Sequence, residues 1–149
     1  VGFYLSKTLE ATGSIRALKM ALQNNKVEQN NLIHHSDRGV QYCCNAYVEI
    51  LNNKRIKISM TENGDPLENA IAERVNGILK DELLEDLYKD FESAQSGVAK
   101  AISVYNHLRP HSSISYKTPI ELHNTNKPVQ RKWKNYYIKK ELLNVGINQ

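Results

Sequence analysis

Two acidic residues, Asp37 and Glu73, stand at positions where a carboxylate could bind a metal ion. Asp37 follows a short apolar stretch and precedes Arg-Gly, so it falls at the end of a predicted strand, whereas Glu73 falls in the middle of a predicted helix. Hard divalent ions such as Mg²⁺ bind carboxylate oxygens and retain several waters, so a few acidic residues suffice. The positions of these two carboxylates therefore raise the question of what they hold. On these residues alone, Asp37 as a turn residue and Glu73 as a solvated surface residue remain alternatives.

The predicted helix around Glu73 carries a narrow polar stripe. At about 100° per residue, four residues fall within about 60° of Glu73. These are Asn69, Asn76, Gly77 and Lys80. Asn and Gly are poor choices for a plain exposed helix surface, and Gly also lets another backbone approach closely, so the stripe indicates a functional surface. The opposite side, which holds Ile71, Val75 and Ile78, is expected to pack into the core.

Short strands alternate with helices along the chain, which is typical of an α/β layered domain. Residues 1–7 are rich in β-forming residues and predict a first strand. A short apolar stretch predicts a second, buried strand at 32–36. The alternation of apolar and polar residues predicts a third strand at 55–60. Helices are predicted at 14–24, 46–51, 66–87 and 91–108, with a short one after Thr118. Asp65, Pro66 and Glu68 form an N-terminal capping pattern, which Thr118-Pro119-Ile120-Glu121 repeats.

Length and cysteine content limit the class of protein. The 149 residues suit one domain with a real core. No apolar run approaches the ~18 residues of a membrane span, and the N-terminus lacks the layout of a signal peptide, so no membrane partner is expected. Cys43 and Cys44 are adjacent, which does not suit a disulfide framework and fits a reduced, intracellular setting. Together with His34-His35 they are also too closely paired in sequence to bind zinc tetrahedrally.

Positive charge is concentrated near the C-terminus. The net charge is +4, yet six of the 20 Lys and Arg residues lie in residues 127–140, which contain no acid. The other 14 bases face 16 acids, so the remainder of the chain is net negative. Trp133, Tyr136 and Tyr137 lie among these charges, and cations interleaved with aromatics suit phosphate contact and base stacking. A solvated segment whose Trp packs on the core is the alternative.

Three stretches carry a resemblance: HSDRGVQY around Asp37, NAIAERVNGILKDEL around Glu73, and YNHLRPHSSISYKTPIEL after it. With ALKMAL in the first helix, they resemble bacterial insertion-sequence transposases that have a retroviral-integrase-type core, and the likeness extends to about residue 123. The resemblance implies an RNase H-like α/β fold, a mixed sheet flanked by helices, and a catalytic Asp-Asp-Glu triad.

The resemblance also assigns roles to residues of this sequence. Asp37 and Glu73 would be two of the three catalytic carboxylates and would bind Mg²⁺, with Mn²⁺ as a substitute. Two such ions about 4 Å apart activate the attacking oxygen and stabilise the leaving oxygen in phosphodiester chemistry. Lys80 would contact the DNA backbone near the scissile phosphate. The other expected DNA contacts are Arg38, Asn69, Asn76, Lys127, Arg131, Lys132 and Lys134.

The first Asp of the triad has no counterpart here. Residues 1–6 resemble the third strand of the family's sheet, so the first two strands and their Asp are absent, and no other acid is a credible substitute. We therefore expect an N-terminally truncated, inactive piece of a catalytic core in residues 1–126, followed by a basic, aromatic tail in residues 127–149. The family's strand order of 3-2-1-4-5 further predicts that the sheet is completed abnormally. Either the first strand moves beside the strand at 32–36, or strands pair between chains.

The leading functional hypothesis is a fragment of a DDE transposase, whose full-length form cleaves DNA and transfers strands. One alternative is a remnant that binds DNA or a transposase without catalysis, and another is a plain RNase H-like nuclease. The expected partners are transposon-end and target DNA and further copies of the chain. The expected location is the bacterial cytoplasm, on the nucleoid when the protein is bound to DNA.

Overall fold

The structure, a computed structural model, describes residues 2–24, 32–62 and 66–125. The chain divides into two compact units, residues 1–98 and residues 99–149. No helix in the described ranges is long and apolar enough to cross a membrane. The predicted N-cap Asp65 and the basic tail at 127–149 lie outside the described residues.

The first unit contains most of the predicted elements. Its helices are α1 (Ala11–Asn24), α2 (Val40–Cys43), α3 (Asn45–Asn53) and α4 (Ala70–Ile78), and its strands are β1 (Ile33–Ser36) and β2 (Lys57–Met60). The predicted helices at 14–24 and 46–51 and the strands at 32–36 and 55–60 are thereby confirmed, whereas α2 was not predicted. Helix α5 (Phe91–His107) begins in this unit and confirms the helix predicted at 91–108.

The core of the first unit is formed by α1, α3 and the residue that precedes β2. Its most buried side chain is Leu51, which is 1% exposed. The apolar face of α1 packs against this cluster, as its spacing predicted. The buried members are Leu18, Tyr47, Leu51 and Ile56, and Ile15 and Leu22 are among the half-buried residues around them.

Strands β1 and β2 pair in parallel, from Ile33 opposite Lys57 to Ser36 opposite Met60. A parallel pair needs a crossover connection, and α2 and α3 supply it. The expectation that β1 is buried is wrong, because Leu32 is 43% and Ile33 is 60% exposed. Within the described ranges β1 has a neighbouring strand on one side only, and Ser36 is its one buried residue.

Residues 2–6 form no strand, so the strand predicted at the N-terminus is wrong for these residues. The segment packs on α1 instead. A Cβ added at Gly2 would collide with the carbonyl oxygen of Ala17, so the two backbones approach closely there. Arg16 donates a hydrogen bond to the Tyr4 hydroxyl and lies 4.9 Å from the centre of its ring. Because these contacts hold the segment on α1, it does not move beside β1.

The helix predicted over 66–87 is present but irregular and shorter. A 3₁₀ turn at Pro66–Asn69 precedes α4, and a π-helical turn at Leu79–Leu83 follows it. The helix ends there because Leu84 is extended and the next amide, that of Glu85, donates to the Tyr88 hydroxyl at 3.1 Å rather than to a helical carbonyl.

Packing along α4 is confined to its C-terminal half. Ile78 is buried and Val75 is half-buried, as predicted, but Ile71 is 81% exposed. No other described segment approaches Gly77 closely, because a Cβ added there would meet only the Asp81 carboxylate, at an ordinary 3.8 Å.

The start of α5 has a reciprocal cap that the sequence pattern did not reveal. The Ser93 amide donates to the Asp90 carboxylate at 2.7 Å, and the Asp90 amide donates to the Ser93 hydroxyl at 3.1 Å. These hydrogen bonds from Ser93 lower the pKa of Asp90.

The second unit contains the end of α5, a 3₁₀ turn at Ser112–Ile114 and α6 (Pro119–His123). Thr118 caps α6 with the predicted box: its side chain accepts from the Glu121 amide, and its own amide donates to the Glu121 carboxylate at 2.7 Å. Hydrogen bonds from Thr118 lower the pKa of Glu121. His107, in the last turn of α5, donates to the Ser103 carbonyl at 3.0 Å.

His34 on β1 and Tyr47 on α3 form a half-enclosed aromatic pair. The Tyr47 hydroxyl lies 3.0 Å from His34 Nε2, and the two rings meet edge to face. Burial, with smaller contributions from Tyr42 and Cys44, raises the pKa of Tyr47 from 10.0 to about 12. Burial likewise lowers the pKa of His34 below its ordinary 6.5. Both shifts favour the neutral, hydrogen-bonded pair.

The pair predicts a stability that depends on pH at both ends. Between pH 10 and about 12, Tyr47 is ionised in the unfolded chain but keeps its proton in the folded one, so the free energy of unfolding falls as pH rises. Below pH 6.5, His34 binds a proton more readily in the unfolded chain, so stability falls as pH decreases. Urea denaturation across pH 8 to 12 should therefore show a shallower alkaline loss for Tyr47→Phe than for the wild type.

The same substitution at Tyr116, which is 72% exposed, is the matched control and should keep the wild-type alkaline slope. Identical slopes for Tyr47→Phe and the wild type would contradict the assignment.

Candidate functional site

Asp37 lies directly after β1 and is exposed. Its Oδ1 accepts a hydrogen bond from the Gly39 amide at 2.9 Å, which closes a short turn before α2. Among the described residues, Oδ2 has no hydrogen-bond partner. Asp37 is therefore a turn residue, as the plainer interpretation held, and still has one carboxylate oxygen available for a ligand.

Arg38 joins the two strand ends. Its Nε donates to the carbonyl of Thr61 at 2.7 Å, and Thr61, just past β2, is buried. The chain after β1 is thus fixed to the chain after β2. Arg38 is exposed, and its guanidinium group has two further nitrogens. The contact of Arg38 with DNA stays a prediction.

His35 connects the same strand ends to the turn before α4. Its Nδ1 lies 2.9 Å from the Ser59 hydroxyl, and its Nε2 lies 2.9 Å from the carbonyl oxygen of Glu68. Neither partner could be found from the sequence, because they lie 24 and 33 residues away. The one available signal was the position of His35 two residues before Asp37.

A cleft of about 620 Å³ lies in the first unit beside Asp37. The end of β1 and three residues of the α4 region line one part of it, and the N-terminal segment and α1 line another. The lining residues nearest to the predicted chemistry are Ser36, Asp37, Asn69, Ala72 and Asn76. The structure thus places Asp37 and both predicted asparagines around one space.

Glu73 is exposed and is not among the residues that line the cleft. In an ideal α-helix, Asn76 and Ala72 point about 60° and 100° to one side of Glu73. Since both line the cleft, we expect Glu73 near its rim. The close approach of its carboxylate to that of Asp37 stays a prediction.

Two buried polar atoms belong to residues that line the cleft. The Ser36 hydroxyl and His34 Nδ1 have no hydrogen-bond partner among the described residues, and Ser36 is only 6% exposed. A buried polar group without a partner is costly, so this part of the cleft suits water or a polar ligand.

A complete metal site is not present in the described part of the chain, where no group of three His, Cys, Asp or Glu side chains could hold an ion. The donor types nevertheless suit Mg²⁺, since Mg²⁺ accepts one or two carboxylates and keeps its waters. Asp37 Oδ2 is the best-placed donor, and Glu73 could add a second.

The remaining predicted contacts lie further along the chain. Lys80 is exposed in the π-helical turn. Lys127, Arg131, Lys132 and Lys134 lie outside the described residues. Their contact with DNA therefore stays a prediction.

Comparison with known proteins gives the family. The model of the family described as "Integrase core domain" matches residues 54–119, which include Glu73 and Lys80. An IS600 protein of 31 kDa from Shigella sonnei is 38% identical over 114 residues, which are 75% of this chain and 41% of that protein. The transposase for insertion sequence IS629 from the same organism is 29% identical over 122 residues. These cover 81% of this chain and 40% of that protein. The chain spans less than half the length of these relatives.

A solved structure shows the same fold. The catalytic core domain of HTLV-2 integrase, determined with magnesium in a trimeric form, matches 80% of this chain and 73% of its own, with a TM-score of 0.58 and 22% identity. The fold is therefore the RNase H-like α/β fold of integrase cores, as the sequence predicted. The family model, the relatives and the fold agree, and together they support an insertion-sequence transposase with an integrase-type core.

Proposed function

We propose that this chain supplies part of the catalytic centre of a DDE transposase, which in its full-length form cleaves and joins DNA with divalent ions. The observation that carries the proposal is the cleft that Asp37 shares with Asn69 and Asn76. It brings the carboxylate at a strand end beside Asn69, Ala72 and Asn76 of the α4 region, and α4 is the helix that carries Glu73.

Each residue contributes according to its chemistry. Asp37 Oδ2 and the Glu73 carboxylate would hold Mg²⁺ or Mn²⁺, and a bound ion lowers the pKa of an attacking water or hydroxyl and stabilises the leaving oxygen. The side-chain amides of Asn69 and Asn76 can donate to phosphate oxygens across the cleft. The turn after Asp37 keeps its carboxylate in place whether or not an ion is bound.

We further propose that this chain alone binds divalent ions weakly and does not transfer DNA strands. Affinity for such ions depends on the number of ligands, and the described residues offer no group of three. The alternative, a remnant that binds DNA or a transposase without catalysis, draws on the same observation. Metal binding separates the two, because a remnant has no reason to retain it.

Mn²⁺ binding tests the two carboxylates. Asp37→Asn and Glu73→Gln should each lower Mn²⁺ affinity at least tenfold, measured by calorimetry or by the electron spin resonance of free Mn²⁺. Asn at position 37 can still accept from the Gly39 amide, so its melting temperature should stay close to that of the wild type. Asp37→Ala should lose both metal affinity and stability.

The matched control is Glu49→Gln on the exposed side of α3, which should bind Mn²⁺ like the wild type. Unchanged affinity in Glu73→Gln would remove Glu73 from the site. Strand transfer by the unmodified 149-residue chain, abolished by Glu73→Gln, would disprove its inactivity.

The tail should supply affinity for DNA without sequence preference. Each phosphate contact contributes about 0.9 to the slope of log affinity against log salt. Removing residues 127–149, or replacing the six Lys and Arg residues of 127–140 with Gln, should therefore weaken binding and flatten the slope by up to about 5.

As a control, Lys54→Gln and Lys57→Gln, at two exposed positions, should change the salt dependence of DNA affinity little. If removal of the tail leaves affinity and slope unchanged, the tail does not contact DNA.

Self-association is the third part of the proposal. The amide of Lys57 donates to the carbonyl of Leu32, and the amide of Thr61 donates to the carbonyl of Ser36. Because backbone groups alternate in direction along a strand, every second residue from Leu32 to Ser36 directs its backbone groups at β2. The backbone groups of Ile33 and His35 must then face the other edge, where the described residues provide no strand. Such an edge, with its exposed apolar side chains, favours pairing with a second copy.

Ile33→Pro tests this edge. It removes the one amide that faces outward at this position and leaves the hydrogen bonds to β2 intact. Sedimentation velocity should show concentration-dependent dimers for the wild type and for Ile33→Val, and monomers for Ile33→Pro. A monomeric wild type at all concentrations would contradict pairing through β1.

A further inference from the structure

The two contacts of His35 select one tautomer of its neutral ring. A carbonyl oxygen only accepts, so the Nε2 that faces Glu68 must carry a proton. In the neutral ring Nδ1 then accepts from the Ser59 hydroxyl. His35 therefore bridges β2 and the turn before α4 in one fixed orientation.

Glu68 receives hydrogen bonds from both strand ends. Its carbonyl accepts from His35 on β1, and its carboxylate accepts from the amide of Glu62, just past β2, at 2.7 Å. The turn Pro66–Asn69 is thus tied at its third residue, immediately before Asn69 and five residues before Glu73.

We propose that His35 is a positioning residue, which acts through the Glu68 carbonyl to set the distance between Asp37 and the cleft-facing side of α4. His35 and Asp37 lie at the same strand end, so a link from His35 to the start of α4 fixes one side of the site relative to the other. The proposal rests on the proposed function, since the position of α4 affects chemistry only if Asp37 and Glu73 share a ligand.

Two conservative substitutions separate the two hydrogen bonds. The amide nitrogen of Gln lies as many bonds from Cβ as Nε2 of His, so His35→Gln can still donate to the Glu68 carbonyl. The side-chain oxygen of Asn lies as far from Cβ as Nδ1, so His35→Asn can still accept from Ser59 but cannot reach Glu68. A positioning role through Glu68 therefore predicts rescue by Gln and not by Asn.

The experiment measures Mn²⁺ affinity and amide hydrogen exchange on the full chain. His35→Asn should lower Mn²⁺ affinity about tenfold. Losses of this size are typical when a residue that positions the ligands of a metal ion is replaced. It should also speed exchange in peptides covering residues 69–76. His35→Gln should remain within about threefold of the wild type in affinity, with exchange unchanged, and the melting temperatures of the two variants should be similar. His123→Asn, on an exposed residue of α6, is the matched control and should leave both readouts unchanged.

The outcomes are distinguishable. Equal Mn²⁺ affinities for His35→Asn and the wild type overturn the positioning role, as do equal losses in the Asn and Gln variants. If the wild type binds no Mn²⁺, the metal site of the proposed function fails, and the exchange data alone decide the role of His35. In that case, unchanged exchange at 69–76 in His35→Asn overturns it.

Discussion

The parallel pairing of two four-residue strands is the constraint on which the site depends. The register places Ser36 beside Met60, so both strands end at the same level of the sheet. Asp37 and Thr61 are the next residues after these strand ends. Everything that holds the candidate site together is attached at this end. Arg38 ties one exit to the other, and His35 and Glu62 tie both to Glu68. A slip of one residue in register would turn these side chains to the other face of the sheet.

The strands hold their register because α3 packs behind them. Leu51 and Tyr47 on α3 are buried with Leu18 of α1, and the same helix leads directly into β2 through Ile56. Tyr47 also reaches β1 through His34. The hydrophobic contacts therefore position the crossover, the crossover positions the strand ends, and the strand ends position the start of α4.

Periodicity and motifs predicted the elements well and their packing less well. Most of the helices, the two strands, the Thr118 cap and the family resemblance could be predicted because each leaves a local pattern in the sequence. The exposure of Ile33 and Ile71 could not, since burial depends on whether another element covers that face. The strand expected at residues 2–6 failed for the same reason, because contact between Gly2 and α1 leaves no local signal. In the site, the types of Asp37 and Asn76 indicated chemistry, but the bridge through His35 joins residues far apart in sequence.

The turn at Asp37 has a consequence for how the gene would accumulate mutations in copies that have lost their function. One oxygen of this side chain closes the turn to Gly39, while Glu73 has no hydrogen bond to any described residue. In a copy that is maintained only because it folds, Asn or Ser could replace Asp37 by preserving the turn, whereas position 73 would drift freely among helix-forming residues. Under the proposed function, joint retention of Asp at 37 and Glu at 73 across diverging copies of the gene would thus be a record of transposition, and an Asn at 37 beside an arbitrary residue at 73 a record of its loss.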